Sequence, residues 1–142
     1  MSSSDAAAYQ PDKPACVIRI FSAYQRGDSF WEEPLAKSEF YKSIETYYFD
    51  DIWPGIGSQK EILLDDDLAS RIINNFAKNK NGCETLIVHC SRGINRSPAV
   101  AIALNEIFGL GHKSSELKKK YDESNWYVYN KLIEAGKKYQ LK

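Results

Sequence analysis

No apolar run in the 142 residues is long enough to cross a membrane, and no sign of charge dominates: 19 Lys and Arg balance 19 Asp and Glu. The first absence argues against a helical membrane span and for a soluble protein. The second removes any global field that would draw nucleic acid or an anionic lipid surface, so an attraction for phosphate has to be local. Cysteine is scarce: there are three, an odd number with no framework spacing. With no signal peptide evident, that scarcity points to a reducing cytoplasm. Residues 1–14 hold no apolar segment and read as a disordered lead, small, polar and proline-flanked. Residues 15–142 remain as one domain, and 43% apolar composition is enough to give a chain of this length one core.

What is present centres on residues 89–98, His-Cys-Ser-Arg-Gly-Ile-Asn-Arg-Ser-Pro. The apolar run Thr85-Leu86-Ile87-Val88 precedes it and an alanine-rich amphipathic run follows, so the stretch sits where a strand hands over to a helix. Backbone N–H groups at such a junction lack intrahelical partners and, with the helix dipole, favour a doubly charged oxyanion. The amides of Ser91, Arg92, Gly93, Ile94, Asn95 and Arg96 form the expected cradle. Gly93 permits the tight backbone path, and Pro98 is tolerated in a first helical turn. Arg96 adds a planar fork that binds two phosphate oxygens at once. Cys90 lies at the floor of the ring, where a helix N-terminus and nearby cations lower a thiol from ~8.5 toward ~3.5–7.5. A thiolate there is a nucleophile for phosphorus. Ser97 can donate its hydroxyl to the sulfur and ease its departure, and His89 orients the loop rather than serving as base. A buried cysteine with a surface arginine, the plain alternative, explains neither the glycine nor the placement.

Along the rest of the chain, residues 16–21 read as a first strand interrupted by Arg19, and residues 44–49 as a second. Between them the pattern is poor: a loop with one short helix near residues 35–41 is the best reading. Tyr24, Phe30, Trp31, Phe40 and Tyr41 are expected as core or rim packing rather than a substrate slot. The second strand delivers Asp50 and Asp51, ahead of Trp53-Pro54-Gly55. A carboxylic acid on a loop beside the cradle can protonate the leaving oxygen and then act as base toward water, help worth ~10²–10⁴ in rate. Asp51 is preferred over Asp50 because it lies one step further past the strand; a pair of turn aspartates is the plain alternative. Residues 55–62 read as loop. Asp65-Asp66-Asp67 then opens an amphipathic helix to Lys78 carrying Leu68, Ile72, Ile73 and Phe76, with acids suited to the dipole rather than to a metal. Cys83 opens the approach to the core strand, as a small apolar residue or as a disulfide partner protecting Cys90. Helices are expected over residues 98–108, from Ser114 or Ser115 to about Glu123, and from Ser124 or Asn125 onward. The sum is an α/β fold: a mainly parallel central sheet flanked by helices, with the phosphate-binding loop between strand and helix and the site at the carboxyl ends of the strands.

His-Cys, five residues, Arg-Ser resembles the signature of the cysteine-dependent protein tyrosine phosphatases. Its position well past the middle is similar to the compact dual-specificity-like branch. The Phe-Asp-Asp-Ile segment upstream and Ser-Asn-Trp downstream resemble small bacterial and phage predicted tyrosine phosphatases. The resemblance implies hydrolysis of phosphotyrosine, with phosphoserine or phosphothreonine as further substrates, through a cysteinyl-phosphate with no metal and no cofactor. Cys90 is then the nucleophile, Arg96 and the loop amides hold the phosphoryl group, and an aspartate thirty to forty residues upstream is the acid, an interval containing both Asp51 and Asp50. It also implies that Asn125, which recurs in the family's downstream motif, caps a helix or pins the loop. The partner implied is a phosphorylated protein or peptide, with nucleic acid and membrane disfavoured. Two other readings stay open. Gly-Ile-Asn-Arg-Ser is also similar to the loop of RNA 5′-triphosphatases, against which the aspartates and the zero net charge weigh. The other is an adaptor that reads phosphate without turnover.

Overall fold

The computed structural model describes residues 1–28, 30–57 and 61–141. Three parallel strands form its sheet in the order β2-β1-β3: β1 Ala15–Phe21, β2 Tyr41–Tyr48 and β3 Thr85–His89. Among the described residues five α-helices accompany them: α1 Ser3–Ala8, α2 Asp66–Asn79, α3 Arg96–Phe108, α4 Ser114–Lys120 and α5 Trp126–Gln140. This is the expected α/β fold. No helix among the described residues is long and apolar enough to cross a membrane.

Alternation along the strands sorts the two faces of the sheet. Ile18 and Ile20 of β1, Tyr47 of β2 and Val88 of β3 face a core completed by Ile72, Ile73 and Phe76 of α2, Val100 and Leu104 of α3, and Val128 and Leu132 of α5. Ala15, Val17 and Ile87 point the other way, against Tyr9, Leu35 and Tyr41. Leu35 therefore belongs to an extended cover over the second face. The short helix expected near residues 35–41 is not formed, and β2 starts at Tyr41 instead. The expected loop over residues 55–62 has neither helix nor strand in its described part; residues 58–60 lie outside the described residues. Asp65 caps α2 by accepting from the amide of Leu68 at 2.8 Å. Gly109, left-handed at φ 62°, ends α3.

Two further expectations need correction. Residues 1–14 are not a structureless lead, because Ser3–Ala8 is helical and the residues before it pair with the end of β3. The Met1 ammonium donates to the carbonyl of Val88 at 3.3 Å, and the Met1 carbonyl accepts from the amide of Cys90 at 3.2 Å. An open strand edge offers unpaired backbone groups, and these residues satisfy some of them. The cysteines also differ from the reading. Cys16 and Cys83 form a disulfide with Cα atoms 5.8 Å apart, and Cys90 is free. A Cys83–Cys90 bond is ruled out by geometry: seven residues of extended chain span about 23 Å, and a disulfide needs Cα atoms within about 7 Å. The observed bond joins the start of β1 to the approach to β3. It closes a loop of 67 residues, for which chain entropy suggests about 4 kcal/mol of stabilisation. With two of three cysteines bonded, cysteine usage no longer argues for a reducing compartment.

Candidate active site

Strand β3 ends at His89, the loop runs through residues 90–95, and α3 begins at Arg96. Within this wrap the Cys90 sulfur receives the amides of Gly93 at 3.3 Å and Ser97 at 3.4 Å, and lies 3.3 Å from the Ser97 hydroxyl oxygen. Burial pushes the Cys90 thiol up, but it is outweighed by the hydroxyl and amide of Ser97, the Arg96 charge and the Gly93 amide, which leave the thiol below its ordinary 9.0. The loop therefore shifts this thiol toward the thiolate relative to a free cysteine.

Gly93 is held at φ 75°, in the region that costs other residues most. A Cβ there would lie 2.6 Å from the carbonyl carbon of Met1, so the N-terminal segment packs directly on the loop. Asn95 precedes α3 without capping it by its side chain. Its side-chain amide donates instead to the Glu123 carbonyl at 2.6 Å, and its carbonyl accepts from the Asn125 amide at 2.9 Å. Asn95 therefore leaves the start of α3 uncapped, and the Ser97 amide of its first turn donates to the Cys90 sulfur instead. Arg92 is exposed, and Ser91 and Ile94 are half-buried.

Arg96 is buried, its guanidinium turned back toward the carboxyl ends of β1 and β2. One terminal nitrogen donates to the Ser22 hydroxyl at 3.1 Å and the Phe49 carbonyl at 2.9 Å, and the other reaches the Ser91 hydroxyl at 3.4 Å. Ser22 comes from the stretch whose pattern was poor. So does Gln25, which is 2% exposed, accepts from the Ser22 amide at 2.8 Å and donates to the Ser91 hydroxyl at 3.5 Å. Ser22-Ala-Tyr-Gln25 is a Ser-x-x-Gln capping box around the 3-10 turn Ala23–Gln25, and that spacing is the signal that could have flagged both residues.

The two aspartates are separated by their surroundings. Asp50 is buried and staples its own loop: its carboxylate accepts from the Ile62 amide at 2.7 Å, and its amide donates to the Ile62 carbonyl at 2.8 Å. Asp51 is exposed, and one of its oxygens accepts from the side-chain amide of Asn125 at 2.8 Å. Asn125 also donates to the Ile52 carbonyl at 3.1 Å, while its own oxygen caps α5 through the Val128 amide at 3.1 Å. Because its backbone amide holds Asn95, this one residue ties the aspartate loop to the phosphate loop.

His89 is fully buried, with Nε2 accepting from Arg19 Nε at 3.0 Å. Arg19 is thus a working part of the strand rather than an interruption: it pairs in register with His89, lies over the Phe21 ring, and donates to the carbonyl of Glu33. Burial first, then the Arg19 charge, lower the His89 pKa from 6.5 to about 3, only partly opposed by the backbone of Cys90. The ring stays neutral at physiological pH, as a structural strut. Between those two values the unfolded chain binds a proton that the folded chain refuses, so stability is complete above pH 6.5 and declines as pH falls toward 3. The slope is about 1.4 kcal/mol per pH unit. Denaturant unfolding at pH 6.5 and pH 5 should show wild type losing roughly 2 kcal/mol more than His89→Gln; equal losses would mean that His89 is not held neutral.

The expected aromatics divide between rim and core: Phe40 and Tyr41 are half-buried, and Tyr41 packs against the buried residues of the second face. Tyr24 and Phe30 are largely exposed and pack edge-on against Trp31.

Several solved structures are similar to this one. Human tyrosine phosphatase-like serine/threonine/tyrosine-interacting protein aligns at a TM-score of 0.50 and 16% identity, over 99% of this chain and 88% of its own. The chain has a tyrosine-phosphatase fold. TpbA of P. aeruginosa aligns at a TM-score of 0.52 and 13% identity, over 100% of this chain and 83% of its own. No family model and no curated protein matches the sequence. In this tyrosine-phosphatase fold the strand, cysteine loop and helix stand at the carboxyl end of a parallel sheet, where open α/β folds place their ligands.

Proposed function

We propose that the chain is a phosphoric monoester hydrolase for phosphorylated proteins, with phosphotyrosine as the leading substrate. In the first step the Cys90 thiolate attacks phosphorus, the S–P bond forms, the P–O bond to the side chain breaks, and Asp51 protonates the departing oxygen. In the second, Asp51 as carboxylate takes a proton from water, the water oxygen attacks the cysteinyl-phosphate, and the sulfur leaves as thiolate eased by Ser97. Arg96 and the loop amides hold the phosphoryl oxygens throughout. The observation that carries this reading is the Cys90 sulfur itself, which sits among Gly93 and Ser97 donors with the Arg96 charge lowering its proton affinity.

A similar structure named as a phosphatase-like interacting protein makes an adaptor the competing reading, because this fold by itself does not decide between turnover and binding. The complete set of Cys90, Arg96 and Ser97 favours turnover. The test is a panel of aryl phosphate, phosphotyrosyl and phosphoseryl peptides and 5′-triphosphorylated RNA, run with and without chelator and vanadate. Expected is chelator-resistant, vanadate-sensitive release of phosphate from aryl phosphate and phosphotyrosyl peptide. Phosphopeptide binding without product would establish the adaptor, γ-phosphate release from RNA alone would establish the triphosphatase, and turnover that needs added metal would remove the mechanism.

A further inference from the structure

The partners of Arg96 are all neutral oxygens: the Ser22 hydroxyl, the Phe49 carbonyl and the Ser91 hydroxyl. Among the described residues no carboxylate forms an ion pair with it. A buried guanidinium matched by a carboxylate would carry its countercharge with it, and its field at a neighbouring thiolate or bound dianion would largely cancel. Here it does not cancel. The geometry instead depends on Gln25, a buried neutral side chain bonded to Ser22 and Ser91, two of the residues that supply these oxygens. Its Oε1 takes the Ser22 amide and so fixes the residue whose hydroxyl receives Arg96, while its Nε2 reaches the Ser91 hydroxyl that receives the other arm of Arg96. Glutamate has nearly the same shape and also completes a Ser-x-x-Glu capping box, so local folding does not demand the amide.

We propose that Ser22 and Gln25 are positioning residues that form a neutral bracket. The bracket aims Arg96 and the Ser91 hydroxyl at the phosphate site and leaves the full guanidinium charge to the Cys90 thiolate and an incoming phosphoryl dianion. Its consequence for turnover rests on the phosphatase reading. Its effects on the thiolate and on oxyanion binding do not.

The test compares Gln25→Glu, which adds a charge at constant shape, with Gln25→Met, which removes the same donor without charge. Both are measured by the pH dependence of Cys90 alkylation with iodoacetamide and by protection from alkylation by orthovanadate. Gln25→Glu is expected to move the alkylation midpoint up by about one pH unit and to weaken vanadate protection about tenfold. Gln25→Met should leave the midpoint near wild type and weaken vanadate only a few-fold. A role confined to packing would make the two variants behave alike, and coincident midpoints and affinities overturn the proposal. Ser22→Ala gives a second reading if Gln25→Glu does not fold: its vanadate protection should weaken about tenfold at unchanged melting temperature, and wild-type protection there also overturns the proposal. Wild-type protein with vanadate-protected thiolate chemistry and no phosphoester turnover would sink the phosphatase reading and leave the bracket intact.

Discussion

Cys90→Ser is expected to lose about 10⁵–10⁶-fold in turnover, the scale seen when a covalent nucleophile is deleted, while keeping affinity for phosphopeptide. The asymmetry follows from how the loop divides its labour. Arg96 is held by Ser22, Phe49 and Ser91, none of which depends on the sulfur, so the oxyanion cradle survives the substitution. The donors from Gly93 and Ser97 converge on the sulfur and lower its proton affinity despite burial. On a serine oxygen the same donors are too weak to remove a hydroxyl proton at neutral pH, and the attack on phosphorus stops. The pH profile carries the same information. In wild type, kcat/KM should rise with pH through an acid limb set by Cys90, below the ordinary thiol value of 9.0, since the loop lowers that pKa. Calorimetric titration of a phosphotyrosyl peptide against Cys90→Ser, beside steady-state rates, checks both halves. Rates within tenfold of wild type would exclude the covalent mechanism, and lost binding would mean that the sulfur organises the cradle.

The parts of this site legible in the sequence are those made by neighbours in the chain. Residues 85–108 contain strand, loop and helix start in one continuous segment, so apolar run, glycine and arginine spacing report the geometry directly. The position of Asp51 just past the end of β2 was legible for the same reason, while its role belongs to the proposal. The residues that brace the loop were not legible, because their partners are distant: Arg19 to His89 spans 70 residues, Ser22 to Arg96 spans 74, and the Met1 ammonium to Val88 spans 87. Which strands lie side by side decides all three, and no local period encodes that order. The disulfide is a further instance. Cys16 meets Cys83 because β1 lies beside β3 in parallel register, with Cys16 opposite Leu86. The polar run at residues 1–8 was misjudged for a related reason: its order comes from an exposed strand edge that it partly covers, and the only side chains it buries, Ala6 and Ala7, are too small to register as an apolar stripe.

Asp51→Asn and Asp50→Ala should separate the two adjacent acids by different measurements. Asn is nearly isosteric with Asp and its Oδ1 can still accept from Asn125, so Asp51→Asn keeps the loop where it is and removes only the titratable proton. Turnover of phosphotyrosyl peptide is expected to fall about 10²–10⁴-fold in kcat with KM little changed, the signature of a group that acts in the transition state. With an activated aryl phosphate, whose leaving oxygen needs less protonation, the loss should be much smaller. Asp50→Ala removes the acceptor of the Ile62 amide and is expected to cost about 1–2 kcal/mol of stability, softened by the partial exposure of that loop, while kcat stays within about tenfold. The reverse pattern, with kcat spared in Asp51→Asn and lost in Asp50→Ala for phosphotyrosyl peptide but much less for the activated aryl phosphate, would transfer the acid role to the buried aspartate. That would require its loop to open before every turnover, since its carboxylate is committed to Ile62 in the folded state.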